Sequence, residues 1–406
     1  MDLRVSTSYA GRADVEEAAR IVQKCVHCGF CNATCPTYQL LGDELDGPRG
    51  RIYLMKSMPE GNTVSGRTQL HLDRCLTCRS CESTCPSGVR YGRLLEIGRE
   101  LVEQQARRSS KDRLVRFGLR KIMTSRTLFG LLSRIGRWVR PALPPVIAKT
   151  LPARRDAGRM PSIRHSRRML LLDGCVQPAL IPVINAAAAR VLDRAGISVV
   201  VPPEAGCCGA LSLHLGATAE AERYMRRNID AWWPEIEKGC EAIVMTASGC
   251  GVTVREYGQL LARDRAYAEK AARISSLTLD LSEVVAVEKP GGLPSGNARR
   301  VAYHAPCTLQ HGQKVHGQVE GLLRRYGWQL ATVREAHLCC GSAGSYSLLQ
   351  PRIANRLLRN KLAVLQEGQP ELIASANIGC LLHLGKEARL PVRHWIELLD
   401  PATAQK

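Results

Sequence analysis

The chain has 406 residues, 17 cysteines and a formal net charge of +20. That length predicts two or three domains, and 45% hydrophobic with 23% charged residues are ordinary globular proportions, which excludes disorder and collagen-like repeats. No apolar stretch reaches the roughly 18 residues of a membrane span. The N-terminal run MDLRVSTSYAGRADVEEAAR has neither an apolar core nor a small-residue cleavage site, so no secretory leader and a cytoplasmic location are expected. In that compartment the cysteines point to metal or redox chemistry and not to disulfides.

The first predicted region, residues 1–106, holds two copies of one motif. CVHCGFCNATCP and CLTCRSCESTCP place Cys25, Cys28, Cys31 and Cys35 fifty residues before Cys75, Cys78, Cys81 and Cys85. The C-x2-C-x2-C-x3-C-P spacing is that of two-cluster ferredoxins, in which the fourth cysteine of each set ligates the other cluster. One [4Fe–4S] cluster is therefore expected on Cys25, Cys28, Cys31 and Cys85, and a second on Cys75, Cys78, Cys81 and Cys35. Zinc sites pair their ligands differently, a C-x2-C with its partner pair a dozen or more residues away. The gap between the sets has room for a helix over RGRIYLMKSM, packed beside the clusters. Gly29, Ser80, Thr84 and Ser87 are candidates for close backbone approach and hydrogen bonds to sulfur.

A basic connector, residues 107–166, follows. Between Arg107 and Arg168 there are 18 Lys or Arg against two acids, Asp112 and Asp156, so the excess charge is local. Leu128, Leu131, Leu132, Ile135, Trp138 and Val139 recur at helical spacing, with Arg126, Arg134, Arg137 and Arg140 among them. Two readings stay open: a basic amphipathic helix on an anionic membrane surface, or one packed on the protein or a partner. With 4% aromatic residues and no nucleic-acid-binding motif, a nucleic-acid partner is not expected.

The remaining chain is a second duplication. Cys175, Cys207 and Cys208 return as Cys307, Cys339 and Cys340, and Cys250 returns as Cys380. Strand-like runs at 168–174, 197–201, 242–247 and 372–376 alternate with helical ones, so two α/β modules of parallel sheet are expected at 167–288 and 299–400. The cysteines fall in loops after strand ends, and KPGGLPSGNA at 289–298 is the expected hinge. The eight cysteines are candidates for an additional cluster or metal, with relic or structural thiols the alternative. His304, His311 and His337 flank the second set, and Cys240 has no counterpart.

The run CVHCGFCNATCPTYQLLGDELDGPRGRIYLMK, with HLDRCLTCRSCESTCPSGVRYG, AGCCGALSLHLG, LCCGSAGSYSLLQP and SANIGC, resembles the iron–sulfur subunit of bacterial glycolate oxidase (glycolate dehydrogenase). The resemblance covers nearly the whole chain and is weakest in the connector. It implies an α+β multidomain protein, a ferredoxin-like two-cluster domain joined to a duplicated α/β domain with CCG motifs. It also implies an electron-transfer role: partner subunits carrying FAD oxidise glycolate, and D-lactate as a second substrate, to the oxo acid. Electrons then pass toward the quinone pool at the cytoplasmic face of the inner membrane. The architecture is similar to that of the C subunit of anaerobic glycerol-3-phosphate dehydrogenase, and its CCG modules to those of heterodisulfide reductase. The sequence departs from the fullest CCG module at Ala247 and Asn377, where that module has a fifth cysteine. A five-thiolate cluster is thereby put in doubt, and no nicotinamide or flavin fingerprint is present.

Overall fold

A computed structural model describes residues 1–140, 155–162 and 165–403, so part of the expected connector, 141–154 and 163–164, lies outside the described residues. The chain forms two compact units. The first comprises Met1–Gly118, Leu211–Thr218 and His337–Lys361; the second comprises Leu119–Ala210, Ala219–Ala336 and Leu362–Lys406.

The first unit is helical. Up to Gln105 its α-helices are α1 (Ala13–Gln23), α2 (Phe30–Ala33), α3 (Pro36–Leu41), α4 (Pro48–Ser57), α5 (Gly66–Asp73), α6 (Ser80–Thr84) and α7 (Tyr91–Gln105). Apolar residues at helical spacing, Val15, Ala18 and Val22 on α1 and Leu94, Leu95, Leu101 and Val102 on α7, form its core with Ile52 and Met55 of α4. α4 and α7 approach closely at Gly98, where a Cβ would stand 2.7 Å from the Met55 side chain. Each cysteine set thus sits at the start of a short helix, α2 or α6. The fourth cysteine of the first set, Cys35, caps α3, whose first residue is Pro36, a residue suited to a helix start.

The described part of the basic segment before Pro141 is two helices and not one. α8 (Ser110–Thr124) ends before Ser125, whose hydroxyl accepts from Leu128 N–H at 3.3 Å and caps α9 (Arg126–Val139).

The second unit holds two parallel four-stranded sheets. β1 (Arg167–Leu171), β2 (Ile197–Val200), β3 (Ile243–Met245) and β4 (Thr278–Asp280) lie in the order β2-β1-β3-β4. β5 (Arg300–His304), β6 (Gln329–Leu330), β7 (Leu372–Ser375) and β8 (Val392–His394) repeat it as β6-β5-β7-β8. The central strands read as short apolar runs because both faces are covered, as parallel sheets require. One apolar core joins the two sheets, from Leu171 and Val244 to Tyr303, Ile396 and Leu399. The loop 289–298, expected as a hinge, is fastened: Gly296 N–H donates to the Tyr326 carbonyl, and the Tyr326 hydroxyl donates to the Pro290 carbonyl at 2.7 Å.

Candidate metal centres

The two N-terminal cysteine loops share an unusual backbone. His27 and Gly29 in the first loop, and Thr77 and Arg79 in the second, all have left-handed φ between 55° and 84°. Alternating left-handed residues coil a chain around a central space, and successive N–H groups turn inward. Glycine adopts this conformation at little cost; Arg79 does so only because the fold holds it, beside Glu96 at 3.7 Å.

Two cavities result. The first, about 430 Å³ of open space, is lined by Cys25, Cys28, Cys31 and Cys85, with Pro48, Arg49 and Ile52 of α4. The second, about 290 Å³, is lined by Cys35, Cys75, Cys78 and Cys81, with Arg51 and Tyr91; Cys81 borders both. The structure therefore brings Cys85 to the Cys25 loop and Cys35 to the Cys75 loop. Electrostatics group the thiols the same way. Burial, and then the neighbouring Cys25, Cys85 and Cys28, push the Cys31 thiol up to about 11. Burial, followed by Cys78, Cys75 and Cys35, drives the Cys81 thiol well up. A thiol raised by burial and by the thiols around it, as Cys31 and Cys81 are, is relieved by a cation among them. No disulfide forms among the described cysteines, and the Ser80 hydroxyl is buried beside Cys81 without a partner. These donor sets fit two iron–sulfur clusters.

Of the residues expected to serve the sulfur atoms, Gly29 and Ser87 line the first cavity, and the contacts to sulfur come from other residues. Thr84 turns instead to its repeat equivalent Thr34, with the two hydroxyls 3.0 Å apart. Thr37 stands 3.3 Å from Cys35 Sγ, Thr77 N–H donates to Cys75 Sγ at 3.4 Å, and the Tyr91 hydroxyl donates to the same sulfur at 3.6 Å. Arg51, 1% exposed, donates to the His71 carbonyl, to Thr37 and to the Asp46 carboxylate. The sequence signal for α4 was its Gly47-Pro48 start; that one of its arginines turns inward has no local signature.

In the second unit the first module gathers its four thiols. Cys175 hydrogen-bonds Cys207, and Cys208 hydrogen-bonds both Cys207 and Cys250. Hydrogen bonds from Cys175 and Cys208 lower the Cys207 thiol well below its usual range, helped by Gly209 N–H at 3.5 Å and the charge of Arg227. The bend that permits this is at Gly209 (φ 91°), where a Cβ would lie 2.9 Å from the Ala221 carbonyl oxygen. Gly341 repeats it: φ is 90°, and its N–H donates to Cys339 Sγ at 3.4 Å. Cys339 and Cys340 belong to the first unit, whereas Cys307 and Cys380 belong to the second. Asn377, standing where a cysteine is missing, donates through Nδ2 to Cys380 Sγ at 3.5 Å. Cys240 follows the helix Thr218–Glu237, buried and away from this quartet, and burial raises its thiol.

Comparison with known families matches this geometry. Residues 21–89 match the 4Fe-4S dicluster domain, and residues 169–255 and 301–385 both match the Cysteine-rich domain. The chain is 53% identical over 403 residues to the glycolate oxidase iron-sulfur subunit of Escherichia coli K12, covering 99% of both proteins. The chain belongs to the glycolate oxidase iron–sulfur subunit family. A probable glycolate oxidase iron-sulfur subunit of Bacillus subtilis is 30% identical, with 94% of each chain covered. The lactate utilization protein A of Bacillus licheniformis is 26% identical over 53% of this chain and 92% of its own. The dicluster domain and the duplicated cysteine-rich domain thus lie on one polypeptide.

Proposed function

We propose that the chain is the electron-transfer subunit of a glycolate-oxidising complex, with [4Fe–4S] clusters on Cys25, Cys28, Cys31 and Cys85 and on Cys35, Cys75, Cys78 and Cys81. Partner subunits carrying FAD oxidise glycolate, and D-lactate as a second substrate, and the electrons leave toward the quinone pool. Such clusters supply one-electron storage. The protein's part is to hold the thiols, exclude water and present one edge. Only Cys28 among the eight is exposed, and Val26 and Phe30 beside it are 69% and 62% exposed, which suits docking of an electron donor. The observation that carries the reading is that each cavity draws its fourth thiol from the opposite repeat. Anaerobic analysis should find about eight irons and as many sulfides per chain, reduced by glycolate when flavin subunits are co-expressed. Zinc alone would overturn it.

The hydrogen-bonded quartet Cys175, Cys207, Cys208 and Cys250 supports a further soft-metal site in the first module, a donor set suited to zinc or a cluster. Its Cys207 is already biased toward thiolate, the form that binds metal.

α9 supports attachment to the cytoplasmic face of an anionic membrane. No described helix is long and apolar enough to cross a membrane. The narrower face of α9 docks: Phe129 packs on the core, Ser133 is buried, Arg137 donates to the Ala179 carbonyl at 2.8 Å, and Arg126 pairs with Asp173. Its apolar face points outward, with Leu131 54%, Ile135 48% and Trp138 84% exposed. A basic helix with an exposed Trp-bearing face partitions into an anionic interface. Vesicles containing phosphatidylglycerol should bind the chain and those of phosphatidylcholine should not, and Leu131→Asp should weaken binding at least about tenfold. Equal binding to both vesicles sinks this part.

A further inference from the structure

The walls of the two N-terminal cavities carry unequal charge. Beside the first, Arg49 pairs one-to-one with Glu44 at 2.6 Å, and both side chains are partly exposed. Beside the second, the single carboxylate of Asp46, fully buried, faces two guanidiniums, Arg51 at 3.4 Å and Arg74 at 2.8 Å. His71 Nδ1 lies 2.9 Å from the same carboxylate. One buried acid against two permanent cations, Arg51 buried and Arg74 28% exposed, leaves surplus positive charge in the wall, which is costly at the buried Arg51 unless an anion lies nearby. The thiolates of Cys35 and Cys75 are in place to be that anion. Arg51 is brought near Cys35 by Thr37: its Nη1 donates to Thr37 Oγ1 at 3.1 Å, and that hydroxyl, which donates to the Asp46 carbonyl at 2.7 Å, stands 3.3 Å from Cys35 Sγ.

We propose that Arg51 makes the Cys35, Cys75, Cys78 and Cys81 site the more readily reduced of the two, setting its potential above that of the Cys25, Cys28, Cys31 and Cys85 site, which is exposed at Cys28. The proposal rests on reading the quartets as cluster sites. An added electron increases negative charge, and a nearby buried cation, with hydrogen bonds to sulfur, stabilises the reduced state. Both levers concentrate at the second site, where Thr77 N–H and the Tyr91 hydroxyl also donate to Cys75 Sγ. Solvent exposure at Cys28 acts in the other direction, since water also favours added charge. It acts at one ligand edge, and the same water screens the Arg49–Glu44 pair. A guanidinium 1% exposed is not screened in this way. The wall thus gives the protein an outer site that faces a donor and an inner site that retains charge.

The test is a potentiometric titration of the full, anaerobically loaded chain, followed by electron paramagnetic resonance. Two separate midpoints are expected. In Arg51→Gln the more positive midpoint should shift negative and the other should stay; Arg51→Lys, which keeps the charge, should preserve most of the separation. Thr37→Val removes the acceptor that holds Arg51 beside Cys35 while leaving Arg51 and Asp46, and should give a smaller shift in the same direction if Arg51→Gln fails to fold. Coincident wild-type midpoints overturn the proposal, as does movement of the more negative one alone, or no movement in variants with full iron. Iron and sulfide counts on the same samples report the cluster reading separately: a wild-type chain without about eight irons defeats that reading before any potential is measured.

Discussion

The N-terminal cavities and the first cysteine-rich module both gather four thiols, but they draw them from the chain in different ways. Each cavity has three cysteines of its own loop and gains its fourth thiol, Cys85 or Cys35, from the other repeat, while Cys81 borders both. The module takes Cys175, Cys207 and Cys208 from loops and Cys250, expected in a loop, from the helix Ser248–Arg255. Exchange makes two sites interdependent, and self-sufficiency keeps damage local. The duplicated sheets add a second lesson. At the end of β4, Asp280 caps the helix Leu281–Glu288 in a capping box with Glu283; at the end of β8, His394 caps the turn Trp395–Leu398 in a capping box with Glu397. What the fold demands there is a hydrogen-bond acceptor, and an ionisable group of either sign supplies it.

Cys35→Ser tests the exchange most severely. Iron should fall from about eight to about four per chain, with the surviving signal that of the Cys25 loop. Loss confined to the Cys25, Cys28 and Cys31 site would break the comparison. Cys207→Ala tests the self-sufficient quartet: metal in excess of the N-terminal irons should disappear while those irons remain, as read by elemental analysis.

The two caps should respond to pH with opposite signs. Burial lowers His394 to about 3, below its usual 6.5, so its neutral form is favoured on folding. That contribution is full above pH 6.5 and is lost as pH falls toward 3, by about 5 kcal/mol at the extreme. His394→Asn should flatten this acid slope in denaturant titrations at stepped pH. Burial raises Asp280 to about 6, above its usual 3.8, so its contribution is full below pH 3.8 and lost as pH rises through 6, about 3 kcal/mol in all. Asp280→Asn should therefore steepen the acid loss between pH 4 and 6 and raise stability at pH 7. The wild-type slopes partly offset in that window, and identical slopes in both variants would show that the caps are not electrostatically distinct.

Spacing made both duplications legible, because thiol positions are covalent arithmetic and need no packing information. The strands β1, β3, β5 and β7 were legible as apolar runs buried on both faces. The edge strands β4 and β8, TLD and VRH, were not; at three residues with polar side chains they carry no periodic signal, and their pairing partners create them. Nor could spacing separate the two readings of the basic segment. The apolar face of α9 is regular in the sequence, and only the docked positions of Phe129 and Ser133 show that this face is the outward one. Arg51, Thr37 and Tyr91 escaped for the same reason: their proximity to sulfur depends on how α4 and α7 pack, and not on distance along the chain.

The exchanged cysteines also fix a timetable for biosynthesis. A nascent chain that has passed Cys35 owns only parts of two cavities. The short stretch Cys75 to Cys85 then supplies the missing thiols of both, completing the second cavity at Cys81 and the first four residues later. On the ligation proposed above, neither cofactor is fully held earlier, and delivery of iron and sulfide waits for the second loop to clear the ribosome. Both sites then become competent almost together.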